Sequence, residues 1–176
     1  MTTQAGGIRI DGPAPEISPG ALSKLAGDTF ALTFGHLYAR EDLDAFLRDK
    51  HSPAVYAELL ADAEYGVFIA FQEETPVGYL VAGPCDLPVE DMPARSGELM
   101  RFYIMPDWQG AGIGKAMLNA GLDWLNERFD HLYLSVYRDN EGAQRLYARY
   151  GFEKVQEYFY MVGSQADPEY ILKQTR

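Results

Sequence analysis

Between Gly97 and Leu118 the chain reads G-E-L-M-R-F-Y-I-M-P-D-W-Q-G-A-G-I-G-K-A-M-L, and residue types here are spaced so that backbone groups could do chemistry. Gly110, Gly112 and Gly114, with Ala111 between them, crowd into five positions. Ahead of them, Glu98 to Met105 is apolar and aromatic enough, and short enough, to predict a buried strand. Pro106 and Asp107 end it, because proline has no N–H for a ladder. After them, Lys115 opens an apolar run with helical spacing. Strand, glycine-rich turn and helix together gather unpaired N–H groups at a helix start, where an anion can sit. Glycine lets the backbone approach that anion closely, since any Cβ would stand in the way. A phosphate-bearing ligand is expected.

The spacing narrows the choice. A dinucleotide fingerprint needs G-x-G-x-x-G, and a P-loop needs G-x-x-x-x-G-K-[ST]. The order Gln109-Gly110-Ala111-Gly112-Ile113-Gly114-Lys115, followed by Ala116, fits neither. It resembles the Q/R-x-x-G-x-G/A pyrophosphate loop of the GNAT (GCN5-related) N-acetyltransferases, which bind acetyl-coenzyme A. A second stretch agrees. His131 to Tyr137 reads as a strand, and Asn140, Ala143, Leu146, Tyr147, Gly151 and Phe152 match the family's asparagine followed by an A-x-x-L-Y-x-x-x-G-F helix. The resemblance implies an α/β (α+β) fold with a central mixed, mostly antiparallel sheet of about seven strands flanked by helices. It implies one domain over residues 1–176, with 1–7 a flexible tail.

The same resemblance implies roles. Phe102, Tyr103 and Ile104 match the splayed segment whose backbone pairs with the pantetheine arm. Residues Gln109 to Lys115 (Gln109, Gly110, Ala111, Gly112, Ile113, Gly114, Lys115) match the pyrophosphate loop, and Asn140 either contacts the cosubstrate or caps its helix. Glu98 stands where histone-acetylating members carry a catalytic glutamate. An amine acceptor with a pKa near ~10 must lose a proton first, at a cost of about 4 kcal/mol at neutral pH unless a base assists. Tyr147 stands where the family donates to the departing coenzyme A sulfur; its place on the apolar stripe Ala143, Leu146, Tyr147, Tyr150 also suits a core side chain. Some relatives that acetylate protein N-termini carry a glutamate five residues before the asparagine, where this chain has Ser135.

Composition limits the partners. Fifteen basic against 26 acidic residues give a net charge of −11, which argues against nucleic acid. It would steer a cationic acceptor inward. No run approaches the ~18 apolar residues of a membrane helix. The start M-T-T-Q-A-G-G lacks a secretory pattern. A single cysteine, Cys85, excludes an internal disulfide and suits a reducing cytoplasm. Cys85 reads as a half-buried structural thiol, and His36, His51 and His131 show neither a nucleophile's partner nor metal-ligand spacing.

Elements ahead of the motifs are expected as follows. Ile8 to Ile10 forms a short strand. Ala21 to His36 is helical, broken near Gly27, and Arg40 to His51 is a second helix. Ser52-Pro53 caps a third to about Ala63. Thr33 to Leu47 looks like the entry to the spermine/spermidine acetyltransferases. Tyr65 to Phe71 and Val77 to Ala82 make a hairpin. Gly83 to Ser96 is a loop, and its Glu90 and Asp91, with Glu41 and Asp42, are expected near the substrate mouth. Phe152 to Val162 and Tyr170 to Lys173 close the sheet. The leading expectation is acetyl transfer from acetyl-CoA to a small-molecule amine, polyamines first. Peptide or protein N-acetylation, and an acyl-CoA sensor without turnover, stand as alternatives. A homodimer is left open.

Overall fold

The computed structural model describes residues 3–5 and 7–175. Eight strands form one sheet in the order β1-β2-β3-β4-β5-β6-β8-β7. They are β1 (Thr3–Ala5), β2 (Ile8–Asp11), β3 (Gly66–Gln72), β4 (Thr75–Pro84), β5 (Ser96–Ile104), β6 (His131–Tyr137), β7 (Phe152–Val162) and β8 (Gln165–Gln174). Only β5 and β6 run parallel; every other neighbouring pair is antiparallel. The sheet is therefore mixed and mostly antiparallel, as expected, with one strand beyond the seven read from the sequence. That strand is β1. Thr3–Ala5 falls in the stretch expected to be a flexible tail, and it folds back to pair with Ile8–Ile10. Residues 1, 2 and 6 of that tail lie outside the described residues.

Five helices cover the sheet: α1 (Pro19–Phe34), α2 (Arg40–Lys50), α3 (Pro53–Ala61), α4 (Ile113–Arg128) and α5 (Glu141–Ala148). Proline at the first helical position opens α1 and α3, and the preceding serines cap them. Ser18 accepts from Ala21 N–H and Ser52 from Val55 N–H. The expected break near Gly27 does not occur. Leu22, Leu25, Ala26 and Phe30 fall on one buried face, and that burial outweighs the roughly 1 kcal/mol that a mid-helix glycine costs.

Two cores lie on opposite faces of the sheet. On one, Met117, Leu118, Leu122 and Leu125 of α4 pack on Leu80, Leu99, Leu132 and Leu134. On the other, Leu22, Leu25 and Ala26 of α1 with Tyr56 of α3 pack on Val67, Ile69, Tyr79 and Val81. Leu80 and Leu125 are fully buried, and truncating either to alanine should cost about 2–5 kcal/mol. Phe30 of α1, Phe46 of α2 and Val162 of β7 form a third cluster. It fastens the helical layer to the far end of the sheet and so builds a second wall facing β5 and β6.

Candidate active site

The β5–β6 ladder is short. It runs from Ser96↔His131 to Leu99↔Leu134 and stops. At that point β5 carries a bulge: Val81 pairs with Arg101 and Ala82 with Leu99, leaving Met100 as the extra residue. A bulge bends and twists its strand. Past it, Phe102, Tyr103 and Ile104 remain paired to β4, while β6 pairs only with β8. The two parallel strands diverge, and the inner edge of β5 keeps backbone groups that no strand takes up. Phe34, at the end of α1, stands edge-on to both arms, 6.4 Å from the Tyr103 ring and 5.9 Å from that of Tyr137. A cavity of about 550 Å³ fills the wedge.

The glycine loop lies at the end of β5. A single 3₁₀ turn over Pro106–Trp108 is followed by Gly110 at φ 84° and Gly112 at φ 79°, in the left-handed region that glycine enters without cost. A Cβ at either position would meet nothing within 4 Å, so the space over the loop is open. Ile113 begins α4 without a side-chain cap, and the helix's first N–H groups point into that space. This is a cradle a pyrophosphate fits. Gly114 differs, since a Cβ there would press on Ile104 at 3.2 Å. Gln109 is engaged within the protein, its Nε2 donating to Ile104 C=O at 3.0 Å. Ala111 and Lys115 are exposed.

Glu98, on the paired part of β5, is 7% exposed and faces the cavity. Asp86 N–H donates to its carboxylate at 3.1 Å. Burial pushes its pKa up to about 7, because the charged form loses its hydration there. Arg101 does not pair with it; its guanidinium goes to the Tyr56 hydroxyl at 3.0 Å and to Lys50 C=O at 3.3 Å. The Tyr56 hydroxyl is also 2.8 Å from His51 Nδ1. Burial first, and Arg101 second, push His51 down to about 3, which keeps the ring neutral.

Tyr147 on α5 is 8% exposed. Its ring leans on Phe152 at 6.2 Å, and it also lines the cavity. Burial raises its hydroxyl well above the ordinary tyrosine range. Asn140 caps α5, accepting from Ala143 N–H at 3.1 Å, and lines the same cavity. The capping role expected of it is thus filled. Cys85 is half-buried, and burial pushes its thiol up to about 12, as suits a structural thiol.

The far wall of the cavity was not read from the sequence. Glu169 of β8 accepts from Tyr158 at 3.2 Å and from Ser135, and burial pushes it up to about 7. Asp167, two residues earlier, is 4% exposed and accepts from Tyr38. The acids expected at the mouth lie elsewhere. Asp42 is taken by Ser164 at 3.1 Å, and Glu41, Glu90 and Asp91 do not line the cavity. The acids that do are Asp86, Glu98, Asp167 and Glu169. Among the described residues none of these four is ion-paired to a cation.

A splayed parallel strand pair, a bulge at the fork, a buried acid in the wedge and an open glycine loop at a helix start are the features of this site. The model of the acetyltransferase (GNAT) family matches residues 31–152, and the chain belongs to that family: it is an acetyl-CoA-dependent N-acetyltransferase. It is 26% identical over 154 residues to an N-acetyltransferase of Lactobacillus delbrueckii subsp. lactis, covering 85% of this chain and 87% of that one. A spermine/spermidine N(1)-acetyltransferase of Bacillus subtilis is 33% identical over 98 residues, 54% of this chain and 53% of that one. The fold is similar to that of the PaiA N-acetyltransferase from Thermoplasma acidophilum in complex with coenzyme A, with a TM-score of 0.72 and 20% identity over 95% of this chain and 99% of that one. Among the described residues no helix is long and apolar enough to cross a membrane.

Proposed function

We propose that the chain acetylates a primary amine of a small, multiply charged molecule, a polyamine being favoured. One observation carries this reading: the cavity that joins Glu98 and Tyr147 to the bare edge of β5 also holds the buried acids Glu98 and Asp167 and the half-buried Glu169, none of them ion-paired to a cation among the described residues. The name of the Bacillus subtilis relative supports the same acceptor.

Acetyl-CoA supplies an activated thioester. The N–H groups at Gly112 to Lys115 hold its pyrophosphate, and Phe102 to Ile104 offer backbone partners to its arm. These donors are fixed before reaction, and those of Phe102 to Ile104 would act most strongly on developing negative charge once the bound cosubstrate excludes water from the cavity. Glu98 receives the proton of the bound ammonium, directly or through one water; a carboxyl with a pKa of about 7 is matched to that task at neutral pH. The Tyr147 hydroxyl lines the same cavity and would donate its proton to the departing thiolate, regaining one from solvent when the product leaves. A thiol of pKa ~8.5 leaves readily, so the help required is modest.

The test is coenzyme A release from acetyl-CoA with a panel of amines at low and high salt. Spermine or spermidine is expected to give a higher kcat/KM than a monoamine of similar length, with a lead of roughly 10–10³ from charge steering at low salt. That lead should shrink as the Debye length falls from ~10 Å at 0.1 M to ~3 Å at 1 M. Peptide acetylation without polyamine acetylation would transfer the acceptor assignment to peptides. No release with any amine would make the chain an acyl-CoA sensor.

A further inference from the structure

On the far wall of the cavity, β7 and β8 present two alternate rungs, each a tyrosine facing an acid. Tyr158 pairs with Glu169, and Tyr160 with Asp167. Glu169 and Asp167 are two residues apart and share a sheet face, so their strand positions lie about 7 Å apart. The same face carries Glu98, because Glu98 pairs with Tyr133, and Tyr133, Ser135 and Tyr137 alternate toward Glu169 through the β6–β8 ladder. Four tyrosines, Tyr38, Tyr137, Tyr158 and Tyr160, surround these acids in the cavity. Each offers a ring face and a hydroxyl, both of which accept a cation.

One atom on this wall lacks what a buried oxygen ordinarily has. Asp167 is 4% exposed. Tyr38 donates to its Oδ2, but its Oδ1 is buried with no hydrogen-bond partner among the described residues. A buried carboxylate oxygen left unpaired is costly, and folded proteins rarely leave one so. The side chain lines the cavity, and Tyr38 holds it in place. Among the described residues no group of three or more potential ligands is arranged to hold a metal ion. The occupant this chemistry suits is a compact donor with several N–H bonds, an alkylammonium.

We propose that Asp167 and Glu169 form a second ammonium site, which holds the far end of the acceptor while its near amine lies at Glu98. The proposal rests on the polyamine reading and sharpens it. The acceptor class becomes a linear aliphatic amine long enough to place one charge at Glu98 and the other at Asp167. The Asp167 Oδ1 receives the hydrogen bond it lacks, and the second charge exchanges its water for a carboxylate. A monoamine fills only the near half of the cavity and leaves the Asp167 Oδ1 without a donor.

The test compares 1,4-diaminobutane with n-butylamine, on the full chain with coenzyme A present, by calorimetry and, with acetyl-CoA, by initial rates. The wild type is expected to bind the diamine at least tenfold more tightly than the monoamine. Asp167→Asn should reduce that advantage by on the order of 10–100-fold, the worth of one charge-assisted hydrogen bond, and the change should appear in KM rather than kcat. Asparagine retains an acceptor for Tyr38; if the variant nevertheless loses its cooperative melt, Glu169→Gln reads the same ratio. A diamine advantage that is absent in the wild type, or survives in folded Asp167→Asn, overturns the second site. The polyamine reading fails separately. Tight, Asp167-dependent diamine binding without acetylation upholds the site and sinks that reading, and acetylation of both amines with equal kcat/KM keeps the enzyme but removes the site.

Discussion

The Ser135 hydroxyl of β6 donates to the Glu169 carboxylate of β8, diagonally across their antiparallel ladder. Tyr158 from β7 closes the triangle, 2.9 Å from Ser135 Oγ and 3.2 Å from Glu169. Some relatives that acetylate protein N-termini carry a glutamate where Ser135 stands. Here the acid arrives from the neighbouring strand, and the serine serves as its donor. A carboxylate therefore faces the same cleft, but it is displaced sideways, away from Glu98 and toward Asp167.

Two acids of the cavity, the buried Glu98 and the half-buried Glu169, make stability depend on pH in a definite direction. Burial raises both Glu98 and Glu169 from 4.5 to about 7, so the folded state prefers them protonated. Their stabilising preference is complete below about pH 4.5 and is lost as pH rises through about 7. At about 1.36 kcal/mol per unit, each would weaken the fold by at most about 3 kcal/mol at pH 8. The two feel each other's charge, so the effects do not simply add. The melting temperature is expected to fall between pH 5 and 8, and Glu98→Gln or Glu169→Gln should flatten that fall. Parallel slopes in all three proteins, measured by calorimetry, would show that neither acid titrates in this range.

Glu98→Gln keeps an acceptor for Asp86 N–H and removes only the base. Turnover at neutral pH should drop by ~10²–10⁴, the usual worth of general base catalysis, with acetyl-CoA affinity unchanged. In the wild type kcat/KM should climb between pH 6 and 8, with an apparent pKa near 7 that belongs to Glu98 and Glu169 together. The variant should lose that step and recover partly at higher pH, where more of the amine is unprotonated. A variant with wild-type turnover and pH profile excludes Glu98 as base.

The glycine loop and the α5 cap were legible because their geometry is local. Gly110, Gly112 and Asn140 work through backbone angles and a cap, which a run of a few residues encodes. The acceptor half comes from elements far apart in the chain. Ser135, Tyr158, Asp167 and Glu169 meet through the pairing of β6, β7 and β8, and Tyr38 reaches them only because the segment between α1 and α2 packs on that end of the sheet. Pro168 concealed them further, since proline argues against a strand interior and confined the sequence reading to Tyr170 to Lys173. β8 tolerates it because the β6 ladder ends at Tyr137↔Glu169, just before Pro168 is reached. The divergence of β5 from β6 was likewise invisible in composition: the bulge at Met100 is a matter of register.

Tyr147→Phe retains the ring that leans on Phe152 and removes the hydroxyl alone. If that ring serves only as core packing, stability changes by about 1 kcal/mol or less and activity is unaffected. A leaving-group role requires at least a tenfold loss of turnover with acetyl-CoA binding nearly constant. The loss should also shrink with an acetyl donor whose thiol has a lower pKa, because such a sulfur needs less protonation. Single-turnover rates with two thioesters separate the cases, and equal rates for the two proteins with acetyl-CoA would return Tyr147 to the core.

Gly112 offers the most direct test of the loop, since its φ of 79° and open surroundings separate strain from charge. Asparagine and aspartate both tolerate the left-handed region better than other side chains, so Gly112→Asn and Gly112→Asp should be folded and similarly stable. They differ in one charge at the mouth of the N–H cradle. Two like charges about 4 Å apart at an effective dielectric near 20 repel by about 4 kcal/mol, and the aspartate also takes up the helix start that an anion would use. Calorimetry should therefore show Gly112→Asp weakening acetyl-CoA binding by two to three orders of magnitude, and Gly112→Asn by far less. Dephospho- and pyrophosphate-truncated analogues assign the effect: the penalty should persist without the 3′-phosphate and vanish when the pyrophosphate is absent. Unchanged acetyl-CoA affinity in folded Gly112→Asp would mean that the pyrophosphate does not sit on this loop.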